Sequence, residues 1–83
     1  MYYVYLLINE KSDKYIGYTS DLRQRVTAHN SGLNTSTRGH VWKLAYYEAY
    51  QSESDARKRE STLKKSSQAR RWLYERASKS LCI

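Results

Sequence analysis

Residues 2–8 read Tyr-Tyr-Val-Tyr-Leu-Leu-Ile, apolar or aromatic at every position. A run that alternated would present one wet face; an unbroken one of this length suits a β-strand buried on both faces. The residues that follow, Asn9 to Lys14, are polar and carry the turn formers Asn, Ser and Asp. Tyr15 to Tyr18 is a second short β-prone stretch, and the pair predicts an antiparallel hairpin.

Helix signals come next. Thr19 and Ser20 are N-cap residues, Asp21 suits a first turn, and Gly32 suits the position just past a helix end. They bracket a helix over about Asp21–Asn30, with Leu22, Arg25, Val26 and His29 on one face. Residues 31–41 are rich in Ser, Thr, Asn and Gly and read as a loop. Trp42 to Tyr50 alternates as a third strand, with Trp42, Leu44, Tyr46, Glu48 and Tyr50 on one face and Lys43, Ala45, Tyr47 and Ala49 on the other. Ser52 and Asp55 resemble a capping box before a helix running to about Lys65. A last helix is predicted over about Gln68–Ala77, anchored by Trp72 and Leu73. The order is β-β-α-β-α-α: an α+β domain with a small three-stranded antiparallel sheet flanked by helices. A chain of 83 residues predicts one domain, 1–83, with a thin core.

Charge narrows the function. The formal net charge is +7, and residues 57–79 account for all of it, with nine Lys/Arg against Glu60 and Glu75. A basic block of this kind suits a polyanion, although a solvated helical face has the same composition. No apolar run approaches the about 20 residues that span a bilayer. The start has no signal-peptide pattern, and the single cysteine, Cys82, has no partner for an internal disulfide. A cytoplasmic setting is the expectation.

Three local features are unusual. Glu60 sits on the apolar stripe of its helix, between Ala56 and Leu63, while Arg57, Lys58 and Arg59 point outward. A carboxylate facing a core needs a partner, either a salt bridge or a metal ion. Arg25 and His29 lie one turn apart: arginine suits phosphate, and histidine exchanges protons near neutral pH. A snorkelling arginine and a helix-capping histidine give the same spacing. Tyr5 and Tyr15 can sit near each other across the hairpin turn, and Gly17 removes a side chain from the second strand, a mark of close approach by another group. Plain cross-strand packing accounts for a tyrosine pair equally well.

Together these residues resemble a family signature. Tyr3-Val4-Tyr5, followed by Tyr15-Ile16-Gly17 beginning ten positions after Tyr5, is similar to the paired triads of the GIY-YIG nucleases. The likeness continues through Tyr18-Thr19-Ser20-Asp21-Leu22, Arg25, His29-Asn30-Ser31-Gly32, Trp42-Lys43-Leu44, Tyr47-Glu48, Arg59-Glu60 and Lys64. It covers about residues 2–66 and looks like the small stand-alone branch of the family. The first triad has Tyr3-Val4 in place of Gly-Ile, and position 18 is tyrosine where excision-repair nucleases usually carry lysine.

The resemblance implies a metal-dependent endonuclease that hydrolyses phosphodiester bonds with low sequence specificity, on DNA ahead of RNA. It implies Tyr5, Tyr15, Arg25, His29 and Glu60 as the catalytic set. Glu60 would be the only protein ligand of one Mg²⁺ or Mn²⁺ ion, as suits a cation that keeps several waters. Arg25 would neutralise phosphate charge, and Tyr5 or Tyr15 would position the attacking water. The basic helices, through Arg57, Arg59, Lys64, Lys65, Arg70 and Arg71, are expected to hold the nucleic-acid backbone. The alternative is a nucleic-acid-binding module without catalysis.

Overall fold

The computed structural model describes residues 1–32 and 38–82. Strand β1 is Tyr2–Asn9, β2 is Lys14–Thr19, α1 is Leu22–Asn30, β3 is Trp42–Tyr50, α2 is Glu53–Lys65 and α3 is Ser67–Arg76, with a short 3₁₀ turn at Ser80–Cys82. The α+β architecture and the β-β-α-β-α-α order are those predicted. The apolar strand β1 lies in the middle of an antiparallel sheet of order β2-β1-β3. Side chains alternate across it, so each face of β1 needs its own cover. Val4 and Leu6, with Ile16 from β2, pack against Ala56 and Leu63 of α2 and Ala69 and Leu73 of α3. Tyr5 and Leu7 pack on the other face with Trp42, Tyr15, Leu44, and Leu22 and Val26 of α1.

The turns follow the sequence closely. Asn9 is buried, and its side-chain oxygen accepts from the backbone N–H of Lys11 and of Asp13, both at 2.9 Å. That Asx turn closes the β1–β2 hairpin, with Ser12 at φ 66 at its tip. The N-cap of α1 is Asp21 and not Thr19 or Ser20. Its carboxylate accepts from Gln24 N at 3.1 Å, while Thr19 Oγ1 accepts from Asp21 N at 3.0 Å. Gly32 takes the left-handed conformation past the helix end, at φ 79. In α2, Ser52 Oγ accepts from Asp55 N at 3.3 Å, the forward half of the expected capping box. Ser66 both ends α2 and caps α3, its hydroxyl accepting from Ala69 N at 3.1 Å, so α3 begins one residue earlier than predicted. Where described, residues 31–41 are turn and bend; 33–37 lie outside the described residues.

Two expectations are corrected. β3 does not alternate throughout. Leu6 pairs with Tyr46 and Leu7 with Leu44, so Ala45 is an extra residue, a β-bulge. Trp42 and Leu44 therefore face the Tyr5 side, while Tyr46 and Tyr50 face the α2–α3 side. Trp72 does not anchor α3. It is 64% exposed, and the buried stripe is Ala69, Leu73 and Ala77, four residues apart.

Candidate active site

The site begins with a missing side chain. Tyr5 of β1 and Gly17 of β2 are direct cross-strand partners. A Cβ added at Gly17 would overlap the Tyr5 phenol, meeting its hydroxyl oxygen and Cζ. The ring therefore lies over β2, which is the edge strand. Tyr15 pairs with Leu7 on the same sheet face, and the Tyr5 and Tyr15 ring centroids are 6.4 Å apart.

Helix α1 brings His29 onto this pair. His29 is 1% exposed, and its Nε2 shares a hydrogen bond of 2.9 Å with Tyr5 Oη. Its ring is 4.7 Å from that of Tyr15, edge to face. Burial pushes the Tyr5 phenol well above its ordinary value, and Tyr15 and Glu60 add to the rise while Arg25 opposes it. Burial, then Arg25, pushes His29 below the usual histidine value of 6.5. Both partners of the bond are thus held neutral near pH 7. Arg25, exposed one turn before His29, acts on both and makes no ion pair among the described residues.

Helix α2 closes the site from the other side of the sheet. Its apolar residues pack against Val4, Leu6 and Ile16, yet Lys64 reaches past the β2 edge to place Nζ 5.6 Å from the Tyr15 ring centre. The same Nζ is 3.4 Å from Glu60 Oε2. Glu60 is the half-buried residue at the border of the stripe, its side chain 24% exposed. Tyr5, Tyr15 and His29 are thus in mutual ring contact, Arg25 and Glu60 act electrostatically on the Tyr5 phenol, and Lys64 lies between Glu60 and Tyr15. Among the described residues no group of three or more His, Cys, Asp or Glu could hold a metal ion. A lone carboxylate is a hard oxygen donor. It fits magnesium or manganese, which retain water ligands, and does not fit a closed tetrahedral zinc site.

The six cations expected to hold nucleic acid divide in two. Arg59 forms a two-pronged pair with Glu48 of β3, Nε to Oε1 at 2.9 Å and Nη2 to Oε2 at 3.0 Å. Arg57 pairs with Glu53 at 3.2 Å and lies over the Tyr18 ring. Arg70 Nη1 donates to the carbonyls of Leu63 and Lys64, capping the end of α2. Lys64 pairs with Glu60, and only Lys65 and Arg71 of the six make neither a hydrogen bond nor an ion pair among the described residues. Partners of this kind are distant in sequence and cannot be read from a count of charges.

The work of Glu48 is structural. Burial pushes its carboxyl up, but the bonds from Arg59, Tyr50 and Tyr46 outweigh that and leave it lowered. The tyrosine bonds are 2.7 Å and 3.0 Å. This network ties α2 to β3 at the residue before Glu60. Tyr18, at the position of the lysine in excision-repair nucleases, donates to Glu53 at 2.6 Å and stacks on Tyr2. Nothing in the alternation of residues 42–50 signals the network, since Arg59 lies 11 residues from Glu48.

The profile of the GIY-YIG catalytic domain matches residues 1–75. The chain belongs to the GIY-YIG family. Its relatives include a UPF0213 protein of Clostridium perfringens, 40% identical over 68 residues, covering 78% of this chain and 72% of that protein. A UPF0213 protein of Halobacterium salinarum is 36% identical over 73 residues, 86% of this chain and 95% of its own length. Another, from Pediococcus acidilactici, is 34% identical over 77 residues, 88% and 79%. No solved structure matches the chain. GIY-YIG domains form a nuclease family, so nucleic acid is the class of partner. No helix among the described residues is long and apolar enough to cross a membrane.

Proposed function

We propose that this GIY-YIG domain is a metal-dependent endonuclease that hydrolyses phosphodiester bonds, in DNA ahead of RNA. The observation that carries the reading is the convergence of the neutral Tyr5–His29 pair, Tyr15, Arg25 and Glu60 around the β2 edge. Tyr5 is almost fully buried and its hydroxyl is engaged by His29, so its role is to hold the imidazole. Tyr15 is half-buried and faces the opening. It orients the attacking water, whose oxygen bonds to phosphorus as the bond to the leaving sugar oxygen breaks. Neutral His29 bonds the Tyr5 hydroxyl and packs edge to face on Tyr15, and so holds both rings in the site. Arg25 is free to meet the phosphate and to offset the negative charge that grows on it. Glu60, together with water, would hold one Mg²⁺ or Mn²⁺. When bound, that ion supplies Lewis-acid stabilisation of the phosphate and of the leaving oxygen. The surrounding cations contact phosphates, which carry no sequence information, so the reading includes low sequence specificity.

Glu60→Gln tests it. The amide keeps the shape and removes the charge that holds a cation. Cleavage with Mg²⁺ or Mn²⁺ is expected to fall by about a hundredfold or more, the effect of losing about 3 kcal/mol from a transition state. Binding measured in chelator is expected to persist. Undiminished cleavage by the folded variant would remove Glu60 and its ion from the chemistry; binding without cleavage by the unchanged chain would leave a binding module.

A further inference from the structure

Beside Tyr15 the surface opens into a cleft of about 310 Å³, lined by Lys14, Tyr15 and Ile16 of β2, Lys64 of α2, and Arg70 and Tyr74 of α3. Its volume is in the range of small-ligand sites. Two of its walls are aromatic rings, and an ammonium rests on each. Lys14 Nζ is 5.1 Å from the Tyr74 ring centre, and Lys64 Nζ is 5.6 Å from that of Tyr15. A lysine lying on a ring shows that the ring face is open to the cleft. Tyr74 is half-buried and packs against the core. Arg70 uses Nη1 on the α2 carbonyls, which fixes the guanidinium and leaves further N–H groups for an anion. The cleft continues along α3 into a second depression, lined by Arg70 and Tyr74 together with Ser67 and Arg71 among others.

Resting on the nuclease reading, we propose that this cleft receives the nucleotide next to the scissile phosphate, and that it does so only when that nucleotide is unpaired. The substrate class is then a nucleic-acid single strand, or a single-stranded extension of a duplex. Aromatic faces bind base faces, and a duplex hides those faces in its stack; only its edges and phosphates remain outside. An entering base displaces Lys14 from the Tyr74 ring. The freed ammonium, with Arg70, then meets the phosphate. Tyr15 belongs both to the cleft and to the reacting site, so a strand seated here leads directly to Glu60 and Arg25. Lys14 and Tyr74 become binding residues; Lys14 lies outside the basic block of residues 57–79, and Tyr74 is an uncharged residue within it.

The experiment measures binding of a labelled oligothymidylate, and of a blunt duplex of equal length, to the full chain in chelator. Stacking is worth about 1–3 kcal/mol per base, so Tyr74→Leu is expected to weaken single-strand binding about 5- to 100-fold. Duplex binding should stay within about twofold, and Tyr74→Phe should behave as the unchanged chain. Lys14→Gln should reduce the salt slope for the single strand by about 0.7. Equal losses on both ligands, or none on either, would overturn the proposal. Thermal unfolding identifies a Tyr74→Leu chain that fails to fold; Lys14→Gln then decides, and an unchanged salt slope overturns it. Cleavage recorded with Mg²⁺ on the same proteins separates the two readings. A chain that holds the strand through Tyr74 but never cuts it upholds the cleft and removes the nuclease.

Discussion

A methyl group at position 17 would stand where the Tyr5 phenol lies. In Gly17→Ala either the ring leaves β2 or the strand bends. Overpacking of this kind costs about 1–3 kcal/mol, and the displaced phenol loses its bond to His29. The unfolding midpoint should drop, and cleavage should drop by more than the loss of folded chain explains. Normal activity in a folded Gly17→Ala chain would detach Tyr5 from the site. At this scale the sequence was informative where spacing alone decides. A separation of ten positions from Tyr5 to Tyr15, with a turn in the middle, puts both tyrosines on one sheet face. Four residues from Arg25 to His29 put both on one helix face. The position of Glu60 on its stripe was likewise a matter of helical period. Arg59 and Arg70 were misleading for the opposite reason. Each looks like one cation among many in the chain, and only the fold supplies Glu48 and the α2 carbonyls as their partners.

Among the elements, α2 carries the greatest constraint, because it must bury Ala56 and Leu63 and still present Glu60 past the sheet edge. The Arg59–Glu48 pair ties that helix to β3. Its side chains are 29% and 15% exposed, so removing one partner leaves a largely desolvated charge. Arg59→Met is expected to cost about 1–3 kcal/mol. That lowers the unfolding midpoint by roughly 4–8 °C for each kcal/mol in a chain of this size. Cleavage should decline with it, while affinity for duplex in chelator should hardly change. A marked loss of affinity without loss of stability would make Arg59 a phosphate contact. The strands and helices were legible because hydrophobic period and capping residues agree along most of the chain. The bulge at Ala45 was not, since a residue inserted into β3 leaves the alternation looking intact while it reverses the face of everything after it.

For the molecule as a whole, the formal charge of +7 overstates what a polyanion meets. Arg57, Arg59 and Arg70 are held by partners inside the fold. Lys65 and Arg71 are not, and they lie near the joint between α2 and α3. Each phosphate contact contributes about 0.9 to the slope of log affinity against log salt on duplex. The double change Lys65→Gln with Arg71→Gln should lower that slope by about 1.8. An unchanged slope would move the duplex contacts to another face. The distribution of charge was visible in the sequence; which charges remain available was settled only by packing.

Glu60 lies in α2, and that helix docks against a sheet whose middle strand, β1, precedes it in the chain. Tyr5, Tyr15, Arg25 and His29 all precede Glu60 in the chain, so the carboxylate is the last of the five to leave a ribosome. Ala56 and Leu63 of the same helix cover one face of β1, so the helix that completes the core also completes the site.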